Sequence, residues 1–141
     1  MSTIVDTGAW YALADTSDRH HAVARRFYET YPGRSKLLTT DLVVAETFAL
    51  LSALLGRHRA LAFWAGLREA RIPILPVTSA DTESAWHIVQ AFDDQAFSFV
   101  DCTTFALMER LGIHDAFAFD AHFLVYRLGP RRRHAINCLP M

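Results

Sequence analysis

Three carboxylates in this chain stand at the ends of short apolar runs: Asp6 after TIV, Asp101 after SFV and Asp120 after AFAF. A fourth, Glu46, is set between Val43, Val44 and Ala45 on one side and Phe48, Ala49 and Leu50 on the other. Acids therefore occupy positions where a core-forming sequence would place another hydrophobe. Carboxylates about 4 Å apart repel by roughly 4 kcal/mol at an effective dielectric near 20, so a cluster persists only if protonated or if a divalent ion lies between its members. The pattern predicts a cation site. Oxygen donors alone select a hard ion, Mg²⁺ or Mn²⁺, over zinc. Such an ion acidifies a bound water and neutralises a phosphodiester, and a second ion about 3.5–4 Å away would hold the leaving oxygen. The chemistry expected is hydrolysis of a nucleic acid.

Each acid also has a structural reading. Glu46 can pair with Arg25 or Arg26, Asp101 can cap the helix it opens, and Asp6 and Asp120 can be turn formers after strands. Their combination favours the site. Asp15, Asp18, Asp41, Asp81, Asp93 and Asp94 lie in loop or cap settings and are read as solvated, and Asp115 as the first residue of a strand. The seven histidines form no HxH or HExxH pattern for zinc. His20 and His21 are read as an exposed helix start, and His122, two residues after Asp120, could approach a phosphate but is read as a surface residue. Thr104 lies one helical turn after Asp101, where its hydroxyl could hold a metal-bound water or satisfy the backbone.

These side chains need a scaffold. With 141 residues and no Pro, Gly or Ser-rich divider, one domain over 1–141 is expected. Hydrophobic residues make up 52% of the sequence, enough for a buried core with apolar surface left for a partner or a second copy. The net charge of −1 does not advertise nucleic acid, and the basic residues are 13 Arg and the single Lys36, so phosphate contacts must come from local Arg clusters. Arg131 to Arg133 form the densest run, and Arg19, Arg25 and Arg26 could line a helix face. Two cysteines without CxxC spacing suit a reducing cytoplasm. The N-terminal MSTIVDTGAW lacks signal-peptide character, and the apolar stretch 42–55, broken by Glu46, Thr47 and Ser52, is too short for a bilayer, so no membrane association is expected.

Residues 2–6 read as a strand closed by Asp6, with Thr7 and Gly8 leading into a helix. A helical pattern starts at Asp18 and stops at Pro32 and Gly33, LLTT reads as a buried strand, and Thr40 or Asp41 caps a helix over 42–55 ended by Gly56. That helix is apolar on nearly every side and is expected to be covered all round. A helix over about 58–70, a strand near 72–77, a helix over 80–91 capped by Ser79 and a loop over 92–98 follow. Asp101 opens a helix ending at Gly112, HDAFAF supplies a strand, a short helix carries Phe123 and Tyr126, and 135–139 forms an edge strand. Strands separated by helices predict an α/β fold, a mainly parallel sheet covered on both faces, with function at the carboxyl ends of its strands.

The segments VDTGAWYAL, TTDLVVAET, SFVDCTTFALMERLGI and AFAFDAHF, in this order and at this spacing, resemble the PIN-domain ribonucleases, and among them the VapC-type toxins of toxin–antitoxin pairs. The resemblance spans the chain. It implies a three-layer α/β/α sandwich in which Asp6, Glu46, Asp101 and Asp120 bind Mg²⁺ or Mn²⁺. It further implies cleavage of RNA, such as tRNA or rRNA, by a metal-activated water to give a 5′-phosphate and a 3′-hydroxyl, blocking translation. A cognate antitoxin and a homodimer are the partners it implies. A response-regulator phosphoacceptor would need a lysine beyond a late strand, and Lys36 precedes an early one. A haloacid-dehalogenase-like phosphatase would need an aspartate where Gly8 stands. The remaining alternative is an idle PIN-like module that binds RNA or protein without cutting.

Overall fold

The computed structural model describes residues 2–32 and 36–140. Five short strands form one parallel sheet: β1 (Thr3–Val5), β2 (Leu37–Thr40), β3 (Ile74–Leu75), β4 (Asp115–Phe117) and β7 (Asn137–Leu139), in the order β3-β2-β1-β4-β7. Helices connect them: α1 (Thr7–Ala14), α2 (His21–Thr30), α3 (Asp41–Leu55), α4 (Arg57–Glu69), α5 (Ser79–Ala91), α6 (Phe99–Leu111) and α7 (His122–Val125). A parallel neighbour cannot be reached by a tight turn, so the helices are the crossovers the sheet requires. The segment between α7 and β7 adds a two-stranded antiparallel ribbon, β5 (Arg127–Leu128) with β6 (His134–Ala135).

Strand alternation divides the core in two. Ile4, Leu38 and Ala116, aligned across β1, β2 and β4, join Phe105, Leu107, Met108, Phe123 and Tyr126 on one face. Val5, Leu37 and Phe117 join Ala9, Trp10, Ala24, Val43 and Leu67 on the other. The period-2 pleat sends neighbouring residues to opposite faces, and both faces are covered, which is why these strands read as continuous apolar runs. The architecture is the expected three-layer α/β/α sandwich.

Helix ends carry much of the local specification. The Thr40 hydroxyl accepts the Val43 N–H at the start of α3, and Gly56, with φ of 97°, ends it. Thr78, rather than Ser79, caps α5, because its hydroxyl accepts from Asp81 N while the Asp81 carboxylate accepts from Thr78 N. The same reciprocal box joins Ser98 and Asp101, so α6 begins two residues before Asp101 and the carboxylate sits in its first turn.

Two further expectations are corrected. α3 is not covered all round: it packs on α1 and α4, yet Ala45, Ala49, Leu50, Ala53 and Leu54 are exposed, with Leu54 61% accessible. Leu61 and Trp64 of α4 extend this open apolar face. Asp81 is not solvated. It is 1% exposed and held by Arg110 of α6, with Nε and one terminal nitrogen on separate carboxylate oxygens at 2.7 and 2.9 Å. Asp115 opens β4 as expected, its carboxylate accepting the Asn137 side-chain amide of β7.

Candidate metal centre

β1 and β4 are adjacent and parallel at the middle of the sheet, so the residues that follow them emerge at the same edge. Asp6 follows β1 directly, and its backbone N–H continues the ladder by donating to Phe117 O at 3.1 Å. Asp120 lies three residues beyond β4. α6 brings Asp101 to this edge from its first turn, and α3, starting directly after β2, carries Glu46 in its second turn. Asp6 and Asp101 thus stand at the amino ends of α1 and α6, where the helix dipole favours negative charge.

Asp101 and Asp120 converge with His122, each offering one ligand-capable atom within 4.8 Å of the others. His122 Nδ1 lies 2.9 Å from Asp101 Oδ2 and 3.3 Å from Asp120 Oδ1. The ring is half-buried and meets Phe97 edge-on, with centroids 5.2 Å apart. The surface assignment of His122 is therefore corrected: it turns inward onto the acids. Sequence reasoning missed it because a lone histidine two residues from an aspartate matches no ligand motif.

Asp6 is almost fully buried, and although it stands at the N-cap position its side chain does not cap α1. Burial pushes its carboxyl up to about 7, with the negative charges of Asp101, Asp120 and Glu46 adding to the rise and the Thr7 backbone N–H opposing it. Asp6 thus feels the charge of the other three acids, while the group within ligating distance of one another is Asp101, Asp120 and His122. Glu46 is half-buried, and the alternative pairing with Arg25 or Arg26 does not form: Arg25 bonds Glu29 on its own helix at 2.8 Å. Among the described residues no arginine is bonded to Asp6, Glu46, Asp101 or Asp120. The cluster carries excess negative charge.

The donors fit a hard divalent cation. Carboxylate oxygens predominate, and a carboxyl raised by burial and then by like charges is one that a bound cation would help to ionise. Of the three buried hydroxyls without a hydrogen-bond partner among the described residues, Thr7 Oγ1, Ser52 Oγ and Thr104 Oγ1, the first and last belong to residues beside Asp6 and one turn after Asp101. Buried polar atoms are rarely left unpaired, and a bound ion's water would satisfy such hydroxyls.

The arginine run is divided. Arg132 is tied down by Glu109 and the Tyr126 hydroxyl and lies over the Tyr126 and Phe92 rings, 5.1 and 5.4 Å from their centroids, so it fastens the ribbon to α6. Arg131 and Arg133 stay exposed. Nor are His20 and His21 a plain exposed helix start: His20 stacks on Phe119 at 4.3 Å and His21 bonds Ala12 O. None of the described helices is long and apolar enough to cross a membrane.

Comparisons with known proteins identify the family. Residues 3–128 match the PIN domain family. A curated relative from Mycobacterium tuberculosis, named 23S rRNA-specific endonuclease VapC20, is 37% identical over 120 residues, covering 84% of this chain and 89% of the relative. The crystal structure of Mycobacterium tuberculosis VapC20, described as a sarcin–ricin loop cleaving toxin, superposes with a TM-score of 0.79 at 34% identity, covering 85% of this chain and 91% of that one. A family match over most of the chain, 37% identity to a curated relative and a shared fold have one explanation: the chain belongs to the PIN-domain family, among its VapC-type members.

Proposed function

We propose that the chain, as a single nuclease unit over 1–141, is a Mg²⁺- or Mn²⁺-dependent endoribonuclease and the toxin of a VapBC-type pair that blocks translation. The observation that carries this reading is the convergence of Asp101, Asp120 and His122 beside a buried Asp6 whose carboxyl is raised by burial and by its acidic neighbours, with no arginine bonded to these acids among the described residues. Asp6, Glu46, Asp101 and Asp120 hold the ion. When bound, the ion supplies charge neutralisation for the scissile phosphodiester and acidity for the attacking water.

The remaining work falls to the protein. Asp6 must release its proton to bind a cation, so affinity rises with pH through about 7. The unpartnered hydroxyls of Thr7 and Thr104 would orient water bound at the site. The exposed Arg131 and Arg133 supply charge for the RNA backbone, and target choice rests on RNA shape and unstacked bases. The relatives' substrate, as their name gives it, makes ribosomal RNA the first target to test, with tRNA the second. The open face of α3 and α4 suits a second copy, and a cognate antitoxin would silence the site. The cytoplasm is where such an RNA cutter would act.

Incubation with total RNA and Mn²⁺ tests the proposal. Discrete fragments bearing 5′-phosphates, absent with EDTA and with Asp6→Asn, are the expected result. Identical RNA patterns under all conditions would leave the chain an RNA- or protein-binding module. Expression of the wild type should arrest growth while Asp101→Asn should not, and equal toxicity would separate growth arrest from the acids.

A further inference from the structure

His122 does more than lie near the acids, because its two nitrogens on the site side divide the oxygens of both aspartates. Asp101 Oδ2 accepts the Ser98 N–H at 3.0 Å and faces His122 Nδ1 at 2.9 Å. Asp120 Oδ1 accepts the backbone N–H of His122 at 2.8 Å and lies 3.3 Å from the same Nδ1. Among the described residues, Asp101 Oδ1 and Asp120 Oδ2 receive no hydrogen bond. Each carboxylate is therefore gripped through one oxygen and presents the other. A carboxylate that binds a cation only accepts, so in that state the contact requires the tautomer with the proton on Nδ1. Phe97, edge-on to the ring, and the Asp120 turn fix the imidazole from two further directions.

We propose that His122 is a positioning residue that clips Asp101 to Asp120 and so sets divalent-cation affinity without ligating the ion itself. The inference rests on the metal site proposed above. Ligation through Nδ1 would surrender the contact with Asp101, and ligation through Nε2 would leave Asp101 orienting the ring, whereas a clip keeps that contact and aims the two free oxygens. Hydrogen bonds to ligating groups are worth about 10–100-fold in metal affinity, which gives the expected size of the effect. An ammonium or guanidinium in this place would fill the cation site with fixed charge. An imidazole holding both acids from the side leaves it open.

The test is calorimetric titration of the full chain with Mn²⁺ and with Mg²⁺, without RNA, for wild type, H122A, H122N, H122Q and D101N, with melting temperatures in EDTA as a check on folding. Asparagine places an amide nitrogen where Nδ1 stands, and glutamine places one where Nε2 stands. H122A and H122Q should weaken both ions by similar factors of about 10–100, and H122N should restore most of the loss. If H122A does not fold, the contrast between H122N and H122Q still decides. Unchanged affinity in H122A or H122Q overturns the proposal. A selective loss of Mn²⁺ over Mg²⁺ that H122N does not restore also overturns it, since it marks a nitrogen ligand. Wild-type binding that D101N abolishes keeps the metal site even if His122 proves silent. Absence of binding by wild type removes the site and the clip together.

Discussion

Asp81 and Asp101 occupy the same local position and meet opposite fates. Each is the third residue of its helix, each closes a capping box with the hydroxyl residue before the helix, and each is buried, at 1% and 6% exposure. Asp81 has a guanidinium on both oxygens, and Arg110 holds its carboxyl below the usual carboxylate range. Asp101 has the His122 imidazole instead and contributes to the rise in the carboxyl of Asp6. A cap explains why an acid stands in a first turn, but not what balances its charge. Where an arginine does so, as at Asp81, the acid is structural; Asp101 has none, and there the proposed external cation would supply the balance.

The largest expected effect separates the two acids by activity. Asp101→Asn should reduce RNA cleavage by about 10³-fold, the scale of losing several kcal/mol of transition-state stabilisation, with far-UV circular dichroism unchanged. Asp81→Asn should cleave at nearly the wild-type rate per folded molecule. Comparable losses in both would erase the distinction.

A second expectation concerns Asp6 in EDTA. Its carboxyl ionises near 3.8 in the unfolded chain and near 7 in the fold, so between these pH values the folded state retains a proton that the unfolded state has released. Stability therefore falls as pH rises through that window and levels off above about 7. Urea denaturation of wild type and Asp6→Asn at pH 4.5 and 7.5 should show the variant gaining on the wild type by about 1–3 kcal/mol at the higher pH. A gap independent of pH would place Asp6 outside the acidic field.

How far the sequence reaches is clear from the same residues. Asp6, Asp101 and Asp120 are legible because an acid after an apolar run breaks the pattern of burial, and parallel strands put such residues at one edge. Asp81 is not, because its partner Arg110 is 29 positions away and a capping acid with or without an arginine reads alike. His122 escapes for a related reason: its partner Asp101 is 21 positions away. Element order and most helix ends follow from Gly, Pro and hydroxyl caps. α3 misleads because an apolar pattern shows that a face avoids water without showing that this chain covers it.

Smaller effects sharpen the contrast. Asp81→Asn should lower the melting temperature by about 5 °C, a size suited to a buried acid whose arginine is partly exposed and screened. The Asp101→Asn change in EDTA should be smaller or reversed, because it relieves repulsion with Asp6. Thr104→Val should alter metal-free stability by no more than about 1 kcal/mol, since its hydroxyl has no partner to lose, while slowing cleavage. A large destabilisation would reveal an internal partner for Thr104 and remove it from the site.

The central claim is that these acids are assembled around a cation the protein does not itself provide. Anomalous diffraction at the manganese edge, from crystals of the full chain grown in Mn²⁺, tests it most directly. A peak bounded by the carboxylates of Asp6, Asp101 and Asp120, lost in Asp101→Asn and kept in Asp81→Asn, is the predicted result. A map empty at that edge of the sheet with Mn²⁺ bound elsewhere, or a peak unaffected by Asp101→Asn, would contradict it.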